Sequence, residues 1–314
     1  TYPLPQAKRS NLRNRPVGMG VQGQADLFLK LFVAWESAEA KELNEKIYET
    51  LYYGGLKSSI ELAKIHGPYE TYKESPYSKG LLHFDLMGLK PYGLWDWQNL
   101  RREGLQYGYY NSLVVALMPT ANSSKVGGNS DSFEPYQGYI TTQGTKCGTL
   151  LNVCDALIEK LIELGIWNTK IRDQILNSNG SIQNIKEIPT DVKNVFKTAF
   201  EIPRKTLIDL AVDRSKYIDQ HQSYNIFHSK SIQSTEQVIP LYRYMWSKGF
   251  KGCYYHRFEE QSLGAQLSKA KEESDSKKAE PKKRSMNDSA SESSSKKLMM
   301  ELDQLGSDSC PGCT

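Results

Sequence analysis

From Glu259 to the carboxy terminus the chain contains no Phe, Tyr, Trp, Val or Ile, although aromatic residues make up 11% of the whole. A segment without large apolar side chains cannot bury enough surface to offset the entropy of ordering it. The foldable part of the 314 residues is therefore confined to residues 1–258. Residues 259–305 read as a flexible charged linker of Ser, Lys and Glu, and residues 306–314 as a short tail. Leu298, Met299, Met300 and Leu302 provide no more than a transient helical turn. A flexible coil of about 50 residues has a root-mean-square reach of ~40 Å, enough to sweep from a surface into a pocket.

The tail carries Cys310-Pro311-Gly312-Cys313. Two thiols at this spacing share a proton, which lowers the pKa of one of them, and thiolate is the species that attacks disulfides. The same spacing is also half of a zinc site. No second Cys-x-x-Cys or paired histidines complete such a site, since Cys147, Cys154 and Cys253 are scattered. The redox reading is preferred and no metal is expected.

The net charge of +4 calls for neither nucleic acid nor an anionic membrane as partner. No apolar stretch approaches the roughly 20 residues that span a bilayer. With no signal peptide apparent and a bare dithiol, the expectation is a reducing, cytoplasmic setting in which the sequons at Asn122 and Asn179 stay unmodified. The sequence begins at Thr1 without methionine, as a piece of a longer polypeptide would.

Apolar periodicity and stop signals predict helices over Ser37–Lys64, Leu94–Gln106, Thr149–Leu164, Thr169–Asn177, Asp191–Phe200, Lys205–Tyr217 and Thr235–Lys248. In the first of these, Leu43, Ile47 and Leu51 recur at helical spacing. The continuous apolar run Ser112–Met118 predicts a strand buried on both faces. Tyr224–Phe227 and Cys253–Phe258 are the other expected strands. Short buried strands alternating with helices imply an α/β fold with parallel strands.

Three constellations could carry chemistry. Gly18-Met-Gly20-Val-Gln-Gly23 matches the dinucleotide pattern, but the polar, proline-broken Asn11–Pro16 stands where that reading needs a strand. Close backbone packing ahead of a helix is the better account. Pro119, Thr120, Ala121, Asn122 and Ser123 follow a buried strand with small hydroxyl and amide side chains. Such a turn holds phosphate through backbone N–H groups, or is an ordinary polar turn; on these residues alone both stand. Tyr254 and Tyr255 are adjacent in a predicted strand, where side chains alternate faces. One core and one surface tyrosine is the plain reading; one-electron traffic through a phenol is the functional one. His66, His83, His221, His228 and His256 show no ligand spacing.

Several of these pieces occur together in one family. Asn11–Asp26, Met118–Ala121, Asn179–Gln183, Gln222–Asn225 and Gly252–Tyr255, with the terminal Cys310/Cys313 pair, resemble in order the signatures of the large catalytic subunit of class I ribonucleotide reductases, closest to the eukaryotic or eukaryotic-virus type. The resemblance implies part of a ten-stranded α/β barrel, residues 1–258 being its carboxy-terminal half. It implies reduction of ribonucleoside diphosphates by radical chemistry, with Pro119–Ser123 binding the substrate diphosphate. Tyr254 and Tyr255 would be the last relay of a radical from an iron-containing small subunit. Cys310 and Cys313 would re-reduce an active-site disulfide and then be reduced by thioredoxin or glutaredoxin. No cofactor is expected within this segment. The family's ATP and deoxynucleotide effectors bind upstream, and its di-iron tyrosyl radical sits in the small subunit.

The radical-forming cysteine, its Asn and Glu partners, the two disulfide-forming cysteines and the regulatory region of that family lie upstream of the matching segment. The remainder of the large subunit is therefore an expected partner. Tyr110 stands where the family usually has Arg, Asn122 and Ser123 stand in place of its Ser-Thr, and Gln137–Val153 matches poorly. Cys147 and Cys154, in and just after that stretch, are two helical turns apart and read as packing residues. The alternative is a non-catalytic homologue or split-subunit fragment that docks on the small subunit or a partner chain. A free-standing dithiol reductase is disfavoured, because the core lacks a Cys-x-x-Cys of its own. Pro281–Arg284 reads as a solvated charge run.

Overall fold

Four extended stretches, at residues 17–19, 113–117, 220–228 and 254–259, lie side by side in chain order and run parallel. Val17 and Met19 donate to the carbonyls of Leu113 and Val114, and Ala116 donates back to Met19. Leu117 and Ser223 exchange bonds across the next seam, from Leu117 N–H to His221 and from Ser223 N–H to Leu117. Tyr254 donates to Tyr224 and Ile226 to Tyr255 across the last. The computed structural model describes residues 2–145, 148–229 and 235–259. The linker beyond residue 259, the cysteine tail and Cys147 lie outside the described residues.

Parallel neighbours need long crossovers, and helices supply them. α1 (Pro5–Asn14) precedes the first stretch. α2 (Gln24–Lys30), α3 (Ala38–His66), α4 (His83–Leu86) and α5 (Trp97–Tyr107) separate it from the second. Next come α6 (Ser123–Gly127), an antiparallel hairpin of β1 (Ile140–Thr145) and β2 (Gly148–Val153), and α7 (Asp155–Glu163), α8 (Thr169–Asn177), α9 (Thr190–Val195) and α10 (Arg204–Ser215). β3 (Ile226–His228) is joined by α11 (Ile239–Ser247) to β4 (His256–Phe258).

Ser37 caps α3 by accepting the Ala40 N–H, as a serine before a helical run should. Its buried stripe is Tyr48, Tyr52, Leu56 and Ile60, spaced four apart. Leu43, Ile47 and Leu51, expected as the core face, are only partly buried. The polar Asn44 and Glu49 go inside instead because they are satisfied there. Glu49 accepts from Trp97 Nε1 at 2.7 Å and Gly93 N–H at 2.9 Å, and Asn44 donates to the Leu210 carbonyl at 2.9 Å. A second apolar cluster, around Tyr139, Leu157, Leu161, Ile171 and Ile175, packs under α7 and α8.

Three expectations are corrected. The predicted helix over Thr149–Leu164 is strand as far as Val153, and the helix starts only at Asp155; pairing with β1, not local propensity, decides that stretch. Cys154 therefore precedes the helix. The helix expected from Thr235 is a single 3-10 turn, Thr235–Gln237, followed by α11, because Pro240 lacks an N–H and belongs in a first turn. Finally, β4 begins at His256 and not at Cys253.

The glycine pattern near the start is a packing device, as expected. A Cβ on Gly20 would lie 2.8 Å from the Ala116 carbonyl oxygen of the neighbouring stretch. Gly20→Ala should therefore cost about 1–3 kcal/mol, the usual range for forcing atoms into a packed site. Urea denaturation checks this, and an unchanged midpoint would remove the close-approach argument.

Candidate functional site

The second parallel stretch ends at Pro119, and the chain then turns sharply at Thr120, whose φ is +55°. A β-branched residue holds that conformation only where its surroundings enforce it. Thr120 Oγ1 accepts the Ser132 N–H at 2.8 Å, and its carbonyl accepts the Ser124 N–H at 2.9 Å. Ala121, Asn122 and Ser123 are exposed at the opening of α6, where the first N–H groups of a helix have no intrahelical acceptor. Ser124 is buried and its hydroxyl donates to Asp131.

Beside this turn lies a cavity of about 420 Å³ lined by Ala121, Lys125, Asp131, Glu134, Tyr136 and Cys154, among others. Tyr136 donates to Asp26 at 2.5 Å. Burial pushes the Cys154 thiol up to about 11, so it is protonated and not a nucleophile at neutral pH. That suits the packing role expected for it. Burial likewise raises Glu134 to about 7, against hydrogen bonds from Asn225 that favour the carboxylate.

Tyr254 and Tyr255 stand just ahead of β4, on the last parallel stretch. Their residues are 44% and 49% exposed, so neither is a core tyrosine. The rings lie 3.8 Å apart between centroids, and the Tyr254 hydroxyl donates to that of Tyr255 at 3.0 Å. That bond raises the Tyr254 pKa. The alternation expected of a strand fails here, and the two rings meet at an interplanar angle of 37°. Tyr255 N–H donates to Asn225 Oδ1 at 3.2 Å, and Asn225 N–H to Glu134 Oε1 at 3.3 Å. The turn-side cavity and the tyrosine pair are thus joined through two buried polar residues.

The resemblance to known proteins settles the family. A family model described as the ribonucleotide reductase barrel domain matches residues 1–256. The chain belongs to this family. It is 45% identical over 257 residues to the ribonucleoside-diphosphate reductase large chain of Encephalitozoon cuniculi, covering 82% of this chain and 33% of that one. Similarity to the large subunit of Arabidopsis thaliana is also 45%, covering 82% and 31%. The Vaccinia virus large subunit is 44% identical over 268 residues, covering 85% and 34%. Among solved structures, the class Id ribonucleotide reductase alpha subunit of Actinobacillus ureae superposes with a TM-score of 0.65 at 27% identity, covering 85% of this chain and 44% of that one. The chain spans about a third of the length of these curated relatives. The fold is an α/β barrel type, of which the described residues form an open parallel array.

Tyr110 lies under the Arg15 guanidinium at 3.9 Å from its ring centre. Its neighbour Asn111 donates to the Arg15 carbonyl at 2.8 Å. Tyr110 is thus held in local packing against the Arg15 segment. Among the described residues no group of His, Cys, Asp and Glu is arranged to hold a metal ion, and no helix is long and apolar enough to cross a membrane.

Sequence reasoning missed a hydrogen-bonded line beside the tyrosines. Arg204 Nη1 lies 3.4 Å from His228 Nδ1, His228 Nε2 lies 2.7 Å from His256 Nδ1, and His256 Nε2 lies 2.6 Å from the Tyr242 hydroxyl. Guanidinium can only donate, so His228 Nδ1 accepts and its proton sits on Nε2. The 28-position separation of the two histidines hid this pairing, which only β3–β4 register creates. Burial, with His256 and Arg204 close by, lowers His228 to about 4. A histidine depressed below its ordinary value favours folding while neutral, so its contribution is lost as pH falls from about 6.5 toward 4. His228→Gln should flatten that part of the stability curve, measured as melting temperature against pH. An unchanged acid slope would mean that His228 does not titrate on unfolding.

Proposed function

We propose that the chain supplies the carboxy-terminal barrel half of a class I ribonucleoside-diphosphate reductase large subunit, which converts ribonucleoside diphosphates to deoxyribonucleoside diphosphates for DNA synthesis. The observation that carries this reading is the close-packed, hydroxyl-linked tyrosine pair on the same parallel array as the Pro119–Ser123 turn. A phenol loses an electron readily only if its proton leaves with it. Two phenols in ring contact and joined by a hydrogen bond can pass that vacancy over a few ångströms. Tyr255 and Tyr254 would hand the oxidising equivalent between a small-subunit radical and a cysteine of the upstream part of the large subunit.

In this reading Thr120–Ser123 cradle the diphosphate through main-chain N–H groups and the Ser123 and Asn122 side chains, with Pro119 ending the strand that aims them. Substrate reduction oxidises two upstream thiols to a disulfide. The Cys310/Cys313 dithiol reduces it by exchange, becoming a disulfide itself, and thioredoxin or glutaredoxin restores it. ATP and deoxynucleotide effectors and the di-iron centre would belong to the upstream region and the small subunit. The protein would work in the cytoplasm.

The test uses the full-length large subunit with its small subunit and a dithiol, following deoxyribonucleoside diphosphate formation. Turnover is expected, and Ser123→Ala should raise KM for the diphosphate about tenfold, since a hydrogen bond to a charged group is worth about 1.5 kcal/mol or more. An unchanged KM removes the phosphate assignment. Absence of turnover by the complete protein would overturn the reading.

A further inference from the structure

We propose that Glu134 is a positioning residue that ties the Pro119–Ser123 turn to Tyr255, so that occupation of the turn is felt at the tyrosine pair. This inference rests on the function proposed above and adds the route between its two sites. The path is continuous. Thr120 Oγ1 accepts the Ser132 N–H, and Ser124 donates to the Asp131 carboxylate. Glu134 N–H donates to the Asp131 carbonyl at 3.0 Å. Glu134 Oε1 accepts the Asn225 N–H, and Asn225 Oδ1 accepts the Tyr255 N–H.

Each intermediate side chain is held. Glu134 and Asn225 are 8% and 4% exposed, and a buried hydrogen-bonded chain has few alternative arrangements. Glu134 also faces two spaces at once. It lines the cavity next to Ala121, and on its other side a small gap shared with Arg214, Tyr224 and Asn225. A movement of the turn cannot leave Glu134 where it is without breaking the Asp131 or Asn225 bond.

The choice of a carboxyl is informative. Glutamine has the same shape and could accept the same Asn225 N–H without the cost of burying an ionisable group. A carboxyl adds a proton that can come and go. The charged or titratable groups acting on it are Asp131 from the turn side, Arg257 from β4, and Arg214 with Tyr224 from the opposite wall. An anionic diphosphate seated at the turn adds negative charge close to Asp131 and favours protonated Glu134. Protonated Glu134 is a weaker acceptor for the Asn225 N–H than the carboxylate, which loosens that bond and through Asn225 the hold on the Tyr255 N–H.

The experiment uses the full-length large subunit assembled with its small subunit. Parent, Glu134→Ala and Glu134→Gln proteins are compared for diphosphate Kd, and for kcat from pH 5.5 to 8.5. Glu134→Ala is expected to lower kcat at least tenfold while Kd stays within twofold. The parent is expected to show an inflection of kcat near pH 7, and Glu134→Gln to keep Kd and lose that inflection. If Glu134→Ala does not fold, the glutamine variant decides alone. A glutamine profile that keeps the parental inflection overturns the proposal, as does a raised Kd at unchanged kcat, which would confine Glu134 to substrate binding. Tyr255→Phe in the same assay separates the two levels. Loss of turnover there with silent Glu134 variants sinks this inference alone, whereas normal turnover there sinks the tyrosine assignment beneath it.

Discussion

Tyr254→Phe and Tyr255→Phe should each bring turnover of the assembled reductase down to background while leaving diphosphate affinity nearly unchanged. Phenylalanine keeps the ring and its contact at 3.8 Å. It removes the O–H, and with it the 3.0 Å bond between the two hydroxyls and the proton whose departure makes oxidation accessible. The folded state loses little, because both residues are close to half exposed and a surface hydrogen bond contributes on the order of 1 kcal/mol or less. An effect on kcat without one on binding identifies a group needed only in the chemical step. Steady-state turnover with an independent binding titration measures both. Near-normal turnover by either variant would make that tyrosine a packing residue.

The second large effect belongs to the tail. Cys310→Ser and Cys313→Ser should block repeated turnover when thioredoxin is the reductant, yet leave activity with a small dithiol that enters the site directly. A tethered dithiol reacts intramolecularly, at an effective concentration in the millimolar range for short flexible linkers, falling slowly with length. Scrambling residues 259–309 should then hardly matter. Shortening them by half should matter only once the coil cannot reach. Steady-state rates of both serine variants under both reductants decide the point. Equal loss under both would mean that the cysteines hold structure, and the swinging-arm account would fail.

Elements with their own local signals were legible. Thr169–Asn177 matches its expected bounds because Asn168 caps it, its side chain accepting the Ile171 N–H. The start of α3 was readable from Ser37, and the glycine-rich opening segment proved to be close backbone packing against Ala116. The hairpin at 140–153 was not legible, because Gly148–Val153 is apolar enough for a helix and becomes a strand only through pairing with Ile140–Thr145. At the candidate site, the positions of the turn and the tyrosine pair could be named from the residues. Their relation could not.

The sequence by itself determined which residues cap helices, the α/β alternation, and which side chains are chemically able to bind phosphate or exchange electrons. These depend on side-chain chemistry and on neighbours within a turn or two. Only the tertiary structure decided that Asn44 and Glu49 go inside and Leu43 and Ile47 do not fully. It also decided that Glu134 meets Asn225 across 91 positions and that His228 meets His256 across 28. Those choices depend on which parallel stretches become neighbours, and in what register. That is set by long-range burial, to which no short window of the chain has access.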